Sequence, residues 1–267
     1  MMTLGDYIIN DEKSDWGFPT KHFFPVCIDN FFEDPDEIRK LGLSLEKKSE
    51  PTGRWPGKRS DVIVNFDKEL QRKIIEKILS CYFDLEFQTV LKWAEANLYF
   101  QDISNFDENK NSVKNRGWIH RDTNHWDHRA AFAGLIYLTP DIDLDAGTSI
   151  FQLKKDRLPF WEPPITMKKD QIPFIDGNNS PCWIQKGLNY THKLKDEILY
   201  EKTLTKYEEN FIETIRFQNV YNRLIIYDTS DYHRANSFYS EKENRSALVF
   251  FIKGIEYNGR LPLERIK

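Results

Sequence analysis

Cysteine is scarce in this chain: Cys27, Cys81 and Cys182 are the only three, they lie far apart, and no Cys-x-x-Cys occurs. That excludes a disulfide framework and a zinc knuckle, and reduced core thiols are expected instead. No stretch approaches the ~20 apolar residues that a membrane span needs, so no membrane partner is expected. The opening MMTLGDYIINDEKSDWG puts acids where a secretory leader has a basic start and an apolar run, which makes the cytoplasm the expected location. Basic charge is not in excess either: 38 Lys and Arg are interspersed with 42 Asp and Glu, for a net charge of −4. A nucleic-acid backbone binder shows a basic excess or stripe, so no nucleic acid is expected as partner. A Gly-rich nucleotide loop and a DFG triplet are also missing. The HRD string beginning at His120 is therefore not a kinase catalytic loop, and Asp127 stands where that loop needs Asn.

Aromatic residues are plentiful, with 19 Phe, 12 Tyr and 7 Trp among 267 residues. Such apolar area can offset chain entropy, and the length suits one domain over 1–267. Residues 22–32 combine aromatics with β-formers, and DPDEIRKLGLSLEKK then runs from acids through helically spaced apolar residues to bases, predicting a strand and a helix. SEPTGRWPGKRS reads as a loop. A second helix is predicted over Lys68 to Phe83, where Leu70, Ile74, Ile75, Ile78 and Leu79 share one face. From about Thr89 the pattern changes to apolar runs of strand length: NLYFQDI, AAFAGLIYL, GTSIFQL, IRFQNVY, NRLIIYD and RSALVFFI. The expected class is mainly β with packing helices, a sandwich or barrel. Residues 154–210 interrupt that rhythm and read as an insertion or lid, with a helix in its charged part, KLKDEILYEKTLTKYEEN.

Three of the six histidines lie within HRDTNHWDH, which starts at His120. His120 and Asp122 are two apart, so on an extended strand both point to one face and can reach one ion. An iron site for oxygen chemistry needs two imidazoles and one carboxylate on one octahedral face, with the opposite positions open. The best third ligand is His233, which follows RLIIYD within DTSDYHRANSF, 113 residues after His120. Twelve residues further, Arg245 opens the last apolar run, and its planar fork suits a carboxylate. His125 and His128 are the rival imidazoles, but HWDH leads away into AAFAGLIYL, which sets them and Trp126 at the rim. Arg234 adjoins His233 and should face the other way if the strand persists.

This arrangement resembles the double-stranded β-helix (jelly-roll) oxygenases that depend on Fe(II) and 2-oxoglutarate, whose pattern is His-x-Asp, a distal His and a basic residue about ten positions later. It is most similar to the prolyl-4-hydroxylase-like branch of phage and bacterial chains, on VCIDNFFEDPDEIRKL, WPGKRS, and HRD followed by AGLIYLTPDIDLDAGTSIF. The resemblance covers most of 24–153 and 216–256. It implies that His120, Asp122 and His233 bind Fe(II), and that Arg245 pairs with the distal carboxylate of 2-oxoglutarate. Tyr99 and Tyr137 are candidates to hydrogen-bond that cosubstrate. The implied reaction is a hydroxylation using O2, since Asp122 stands where a halogenating relative lacks a carboxylate. Two departures bear on the substrate: Ala247 occupies the position where many relatives have Ser, and an Arg at 245 replaces the Lys common among prolyl hydroxylases. The substrate is then a small molecule or a peptidyl side chain, with walls from 51–60, 123–129 and 154–215 that include Trp55, Trp126 and Trp161. The competing class is a non-catalytic β-helix binding module that keeps a structural metal.

Overall fold

The computed structural model describes residues 23–49, 55–86, 91–122, 131–154 and 197–257. Strand β1 (Val26–Ile28) leads into helix α1 (Pro35–Ser44), where the Asp34 carboxylate accepts from Glu37 N at 3.1 Å and Pro35 opens the first turn. These are the preferred residues for a helix start. Helix α2 (Lys68–Leu79) begins in the same way, with the Asp67 carboxylate accepting from Leu70 N at 2.9 Å. It stops four residues before the expected Phe83 because the chain tightens there: Cys81 N donates to Ile78 O and Tyr82 N to Leu79 O. That turn swings Tyr82 and Phe83 into an aromatic cluster with Phe23 and Phe132.

Strands β2 (Lys58–Arg59), β4 (Glu95–Ile103), β5 (Ala131–Tyr137), β8 (Leu224–Asp228) and β10 (Arg245–Lys253) join β1 in a six-stranded antiparallel sheet of order β1-β8-β5-β10-β4-β2. A second sheet has the order β7-β6-β9, formed by β7 (Phe211–Phe217), β6 (Thr148–Leu153) and β9 (Tyr232–Ala235). Segment 117–122 runs antiparallel along β9, with Gly117 N bonding to Ala235 O and a bridge from His120 to His233. Gly117 permits this approach, since a Cβ there would stand 2.7 Å from Ala235 O. Along the chain from β4, successive segments go to the large sheet, the small, the large, the small twice, the large, the small and the large. This winding makes a double-stranded β-helix, mainly β with helices packed outside. Two short strands, β3 (Leu91–Lys92) and β11 (Glu256–Tyr257), pair at one edge of the chain's course.

Alternation along the large sheet decides what faces the site. Leu98, Phe100, Phe132, Ile136, Leu248, Phe250 and Ile252 point outward and pack on Ile74, Ile75, Ile78 and Leu79 of α2. Tyr137, Ile225 and Tyr227 point inward, where they meet Ile150 and Phe217 of the small sheet. Ser246 donates to the Asp102 carboxylate at 2.7 Å on the outer side, while Arg245 and Ala247 share the inner face. The strand expected over IRFQNVY instead ends at Phe217, because Asn222 takes φ +61° and bonds both backbone groups of Phe32, turning the chain. Helix α3 (Glu197–Glu208) lies in the charged part of the expected insertion, and residues 155–196 fall outside the described ones.

Candidate metal centre

His120, Asp122 and His233 each offer one ligand atom, and these atoms lie within 4.8 Å of one another. Backbone pairing explains the convergence. His120 N donates to His233 O at 3.0 Å, His233 N returns the bond to His120 O at 2.9 Å, and Asp122 N donates to Thr229 O at 3.0 Å. The two histidines are thus directly opposite on adjacent segments, with ring centroids 4.4 Å apart, and Asp122 follows two residues on, on the same face. Asp122 Oδ2 is 3.4 Å from His233 Nε2, and Oδ1 is 3.7 Å from His120 Nε2.

The tautomers suit a metal. His120 Nδ1 bonds to Trp118 O at 2.7 Å and His233 Nδ1 bonds to Asp231 O at 3.0 Å. A carbonyl can only accept, so each Nδ1 carries a proton and each Nε2 is the ring nitrogen turned to the shared centre. Burial pushes His233 down to about 4, against a partial upward pull from Asp122, so it is neutral at ordinary pH. The side chains run from 6% exposed at His233 through 16% at Asp122 to 49% at His120, so the cluster opens on the His120 side. Two imidazole nitrogens and a carboxylate on one face, with an open side, match the donor set of a non-haem iron site.

Arg245 lies on the inner face of the neighbouring sheet. It is 4% exposed, its Nε has no hydrogen-bond partner, and no carboxylate among the described residues pairs with it. Its guanidinium sits 5.6 Å from the Tyr137 ring centroid and 6.0 Å from that of Phe238. Burial lowers its pKa, opposed by Tyr137 and Tyr227. Tyr137 is wholly buried and donates to Thr148 Oγ1 at 3.0 Å, tying the two sheets together beside Arg245. Tyr99 is placed elsewhere: its ring centroid is 5.5 Å from the Arg59 guanidinium, toward the other side of the inner face. Arg234 diverges from the centre and is paired with Glu208 of α3 over the Phe151 ring.

Two inner-face residues escaped the sequence reading. Tyr227 lies with its ring 4.3 Å from that of His233, and burial beside Asp122 pushes its hydroxyl well up; its alternation with Ile225 in NRLIIYD was the available signal. Arg59 comes from a strand of two residues, too short to show a period. His125, Trp126, His128 and Trp161 lie outside the described residues. Among the described residues, no helix is long and apolar enough to cross a membrane.

No protein-family model matches the chain, and neither does any curated protein sequence. Among solved structures, it is similar to a prolyl hydroxylase from Trichoplax adhaerens in complex with a hypoxia inducible factor peptide fragment, at 12% identity over 92% of this chain and 87% of that one, with a TM-score of 0.45. EvdO2 from Micromonospora carbonacea var. aurantiaca is similar at 10% identity over 89% of each chain, with a TM-score of 0.48. HygX from Streptomyces hygroscopicus, solved with nickel and 2-oxoglutarate bound, is similar at 10% identity over 94% of this chain and 87% of that one, with a TM-score of 0.44.

Proposed function

We propose that this chain is an Fe(II)- and 2-oxoglutarate-dependent dioxygenase that hydroxylates a small molecule or an amino-acid side chain. The observation that carries this reading is the pairing of two features across the interior: three ligand atoms within 4.8 Å with both Nε2 atoms turned to the Asp122 carboxylate, and a buried guanidinium with no carboxylate partner among the described residues. His120, Asp122 and His233 would hold the iron, and Arg245 would hold the far carboxylate of 2-oxoglutarate. A buried charge is retained only where something pairs with it, and a dicarboxylate cosubstrate supplies that partner. Bound iron would supply the coupling of 2-oxoglutarate decarboxylation to C–H hydroxylation: R–H, O2 and 2-oxoglutarate give R–OH, succinate and CO2.

The chain's own residues position and exclude. The Nδ1 hydrogen bonds to Trp118 O and Asp231 O fix both imidazole planes. Tyr137, Tyr227, Ile150 and Phe217 form an apolar floor that keeps water from the Arg245 end and so strengthens its pairing with an anion. The test is succinate release from 2-oxoglutarate under air with added Fe(II). The reading expects release that Asp122→Ala and His233→Ala each reduce at least a hundredfold. No release from wild-type protein that binds Fe(II) would favour a structural metal in a binding module.

A further inference from the structure

A second guanidinium on the inner face is not needed for iron or cosubstrate. Arg59 in β2 pairs by backbone with Gln101 and so projects from the same face as Tyr99, Val249 and Phe251. Its guanidinium carbon lies 4.5 Å from the Trp55 ring centroid and 5.5 Å from those of Tyr99 and Phe251. None of these rings is among those beside Arg245. Arg59 Nε and Trp55 Nε1 are both buried donors without a hydrogen-bond partner. Protein interiors rarely leave such donors unused, and two side by side mark the place of an acceptor. The group sits in a partly open part of the interior: Trp55, Arg59, Tyr99 and Phe251 are all half-buried, whereas Arg245 and Tyr137 are buried.

Charge makes the acceptor an anion. A guanidinium keeps its proton at any ordinary pH; among the described residues no carboxylate is hydrogen-bonded to Arg59, on which Asp122 acts only electrostatically, and an unpaired charge shielded from water is costly. We infer that Arg59, with Trp55, receives a carboxylate of the substrate. The fate of the bound molecule rests on the oxygenase reading, but the anion site itself does not. The rings of Trp55, Tyr99 and Phe251 flank the guanidinium, whose planar fork suits a two-pronged contact with a carboxylate. The substrate class is therefore a carboxylate-bearing molecule rather than a neutral one.

Trifluoroacetate serves as the probe, because 19F NMR reads millimolar binding of a minimal monoanion. In metal-free protein, two saturable sites are expected. Arg245→Met should remove one of them, from which 2-oxoglutarate displaces trifluoroacetate at the lower concentration, and Arg59→Gln should weaken the other at least tenfold. Arg59→Lys should restore part of that loss, and neutral trifluoroacetamide should bind neither site. Should Arg59→Gln fail to fold, Trp55→Phe keeps an aromatic ring, deletes one donor, and should weaken the same site severalfold. The inference is overturned if no second site remains in the Arg245→Met protein, if both Arg59→Gln and Trp55→Phe leave that site intact, or if inorganic phosphate binds there more tightly than trifluoroacetate. The reverse pattern, with the Arg59 site present and no displacement by 2-oxoglutarate, would contradict the oxygenase reading and leave this one standing.

Discussion

Replacing Arg245 with Met should make the protein more stable and weaken its binding of 2-oxoglutarate. In the cosubstrate-free protein the guanidinium is buried with its Nε unpartnered; Tyr137 gives it one side-chain hydrogen bond and a ring face, and Phe238 gives a ring face alone. Ring contacts of this kind return about 0.5–2 kcal/mol, against an effective burial penalty of several kcal/mol for an unpaired ion. A Met of similar length removes the penalty, and apolar replacement of buried charge stabilises by about 1–4 kcal/mol. At about 2–4 °C per kcal/mol for a chain of this size, the melting temperature should rise by several degrees. Loss of the partner for a buried carboxylate costs about 2–5 kcal/mol, which is a factor of roughly 30 to several thousand in affinity. Thermal melts with and without 2-oxoglutarate read both effects. Wild type at a hundred times its dissociation constant gains about 2.7 kcal/mol, and the variant should gain no more than about 0.9 kcal/mol at that concentration. A variant that melts lower than wild type and is stabilised as much by 2-oxoglutarate would refute the reasoning.

His233 gives a pH dependence whose sign follows from its lowered pKa. The unfolded chain takes up a proton below about 6.5, while the folded chain does so only near 4. Stability of the metal-free protein is therefore full above pH 6.5 and declines as the pH falls toward 4, by on the order of 3 kcal/mol. Denaturant midpoints from pH 7 to 4.5 should show this slope, and His233→Gln should flatten it. Arg234→Ala removes a partner of Glu208, although Arg116 Nη2 remains 3.5 Å from that carboxylate. It should therefore destabilise by about 1–3 kcal/mol and leave 2-oxoglutarate affinity within twofold of wild type by titration.

The convergence of His120 and Asp122 is legible in the sequence because two-residue spacing survives any extended backbone. Arg245 is legible for a related reason: it opens a nine-residue apolar strand whose register with β4 runs unbroken to Lys253. His233 is harder, since it lies in a four-residue strand whose pairing with 117–122 is a long-range contact. Arg59 is harder still. Its strand has only two residues, and its direction is set by pairing with Gln101, some forty positions away. The end of β7 has a tertiary cause that composition hides, because Asn219 N bonds to Leu144 O and the Asn222 side chain to Phe32, both on distant segments. Strand patterning thus reads the sheets, and the inward contributions of short or loop-borne segments depend on tertiary pairing.

Anaerobic titration of metal-free protein with Fe(II), followed by 2-oxoglutarate, tests the central claim most directly. One equivalent of Fe(II) should bind, and 2-oxoglutarate should then raise a visible charge-transfer band. Asp122→Ala and His233→Ala should lose both signals. Arg245→Met should keep the iron and require at least thirtyfold more 2-oxoglutarate to raise the band. Iron bound as tightly by the His233→Ala protein, or a wild-type iron complex that shows no band with 2-oxoglutarate, would contradict the account.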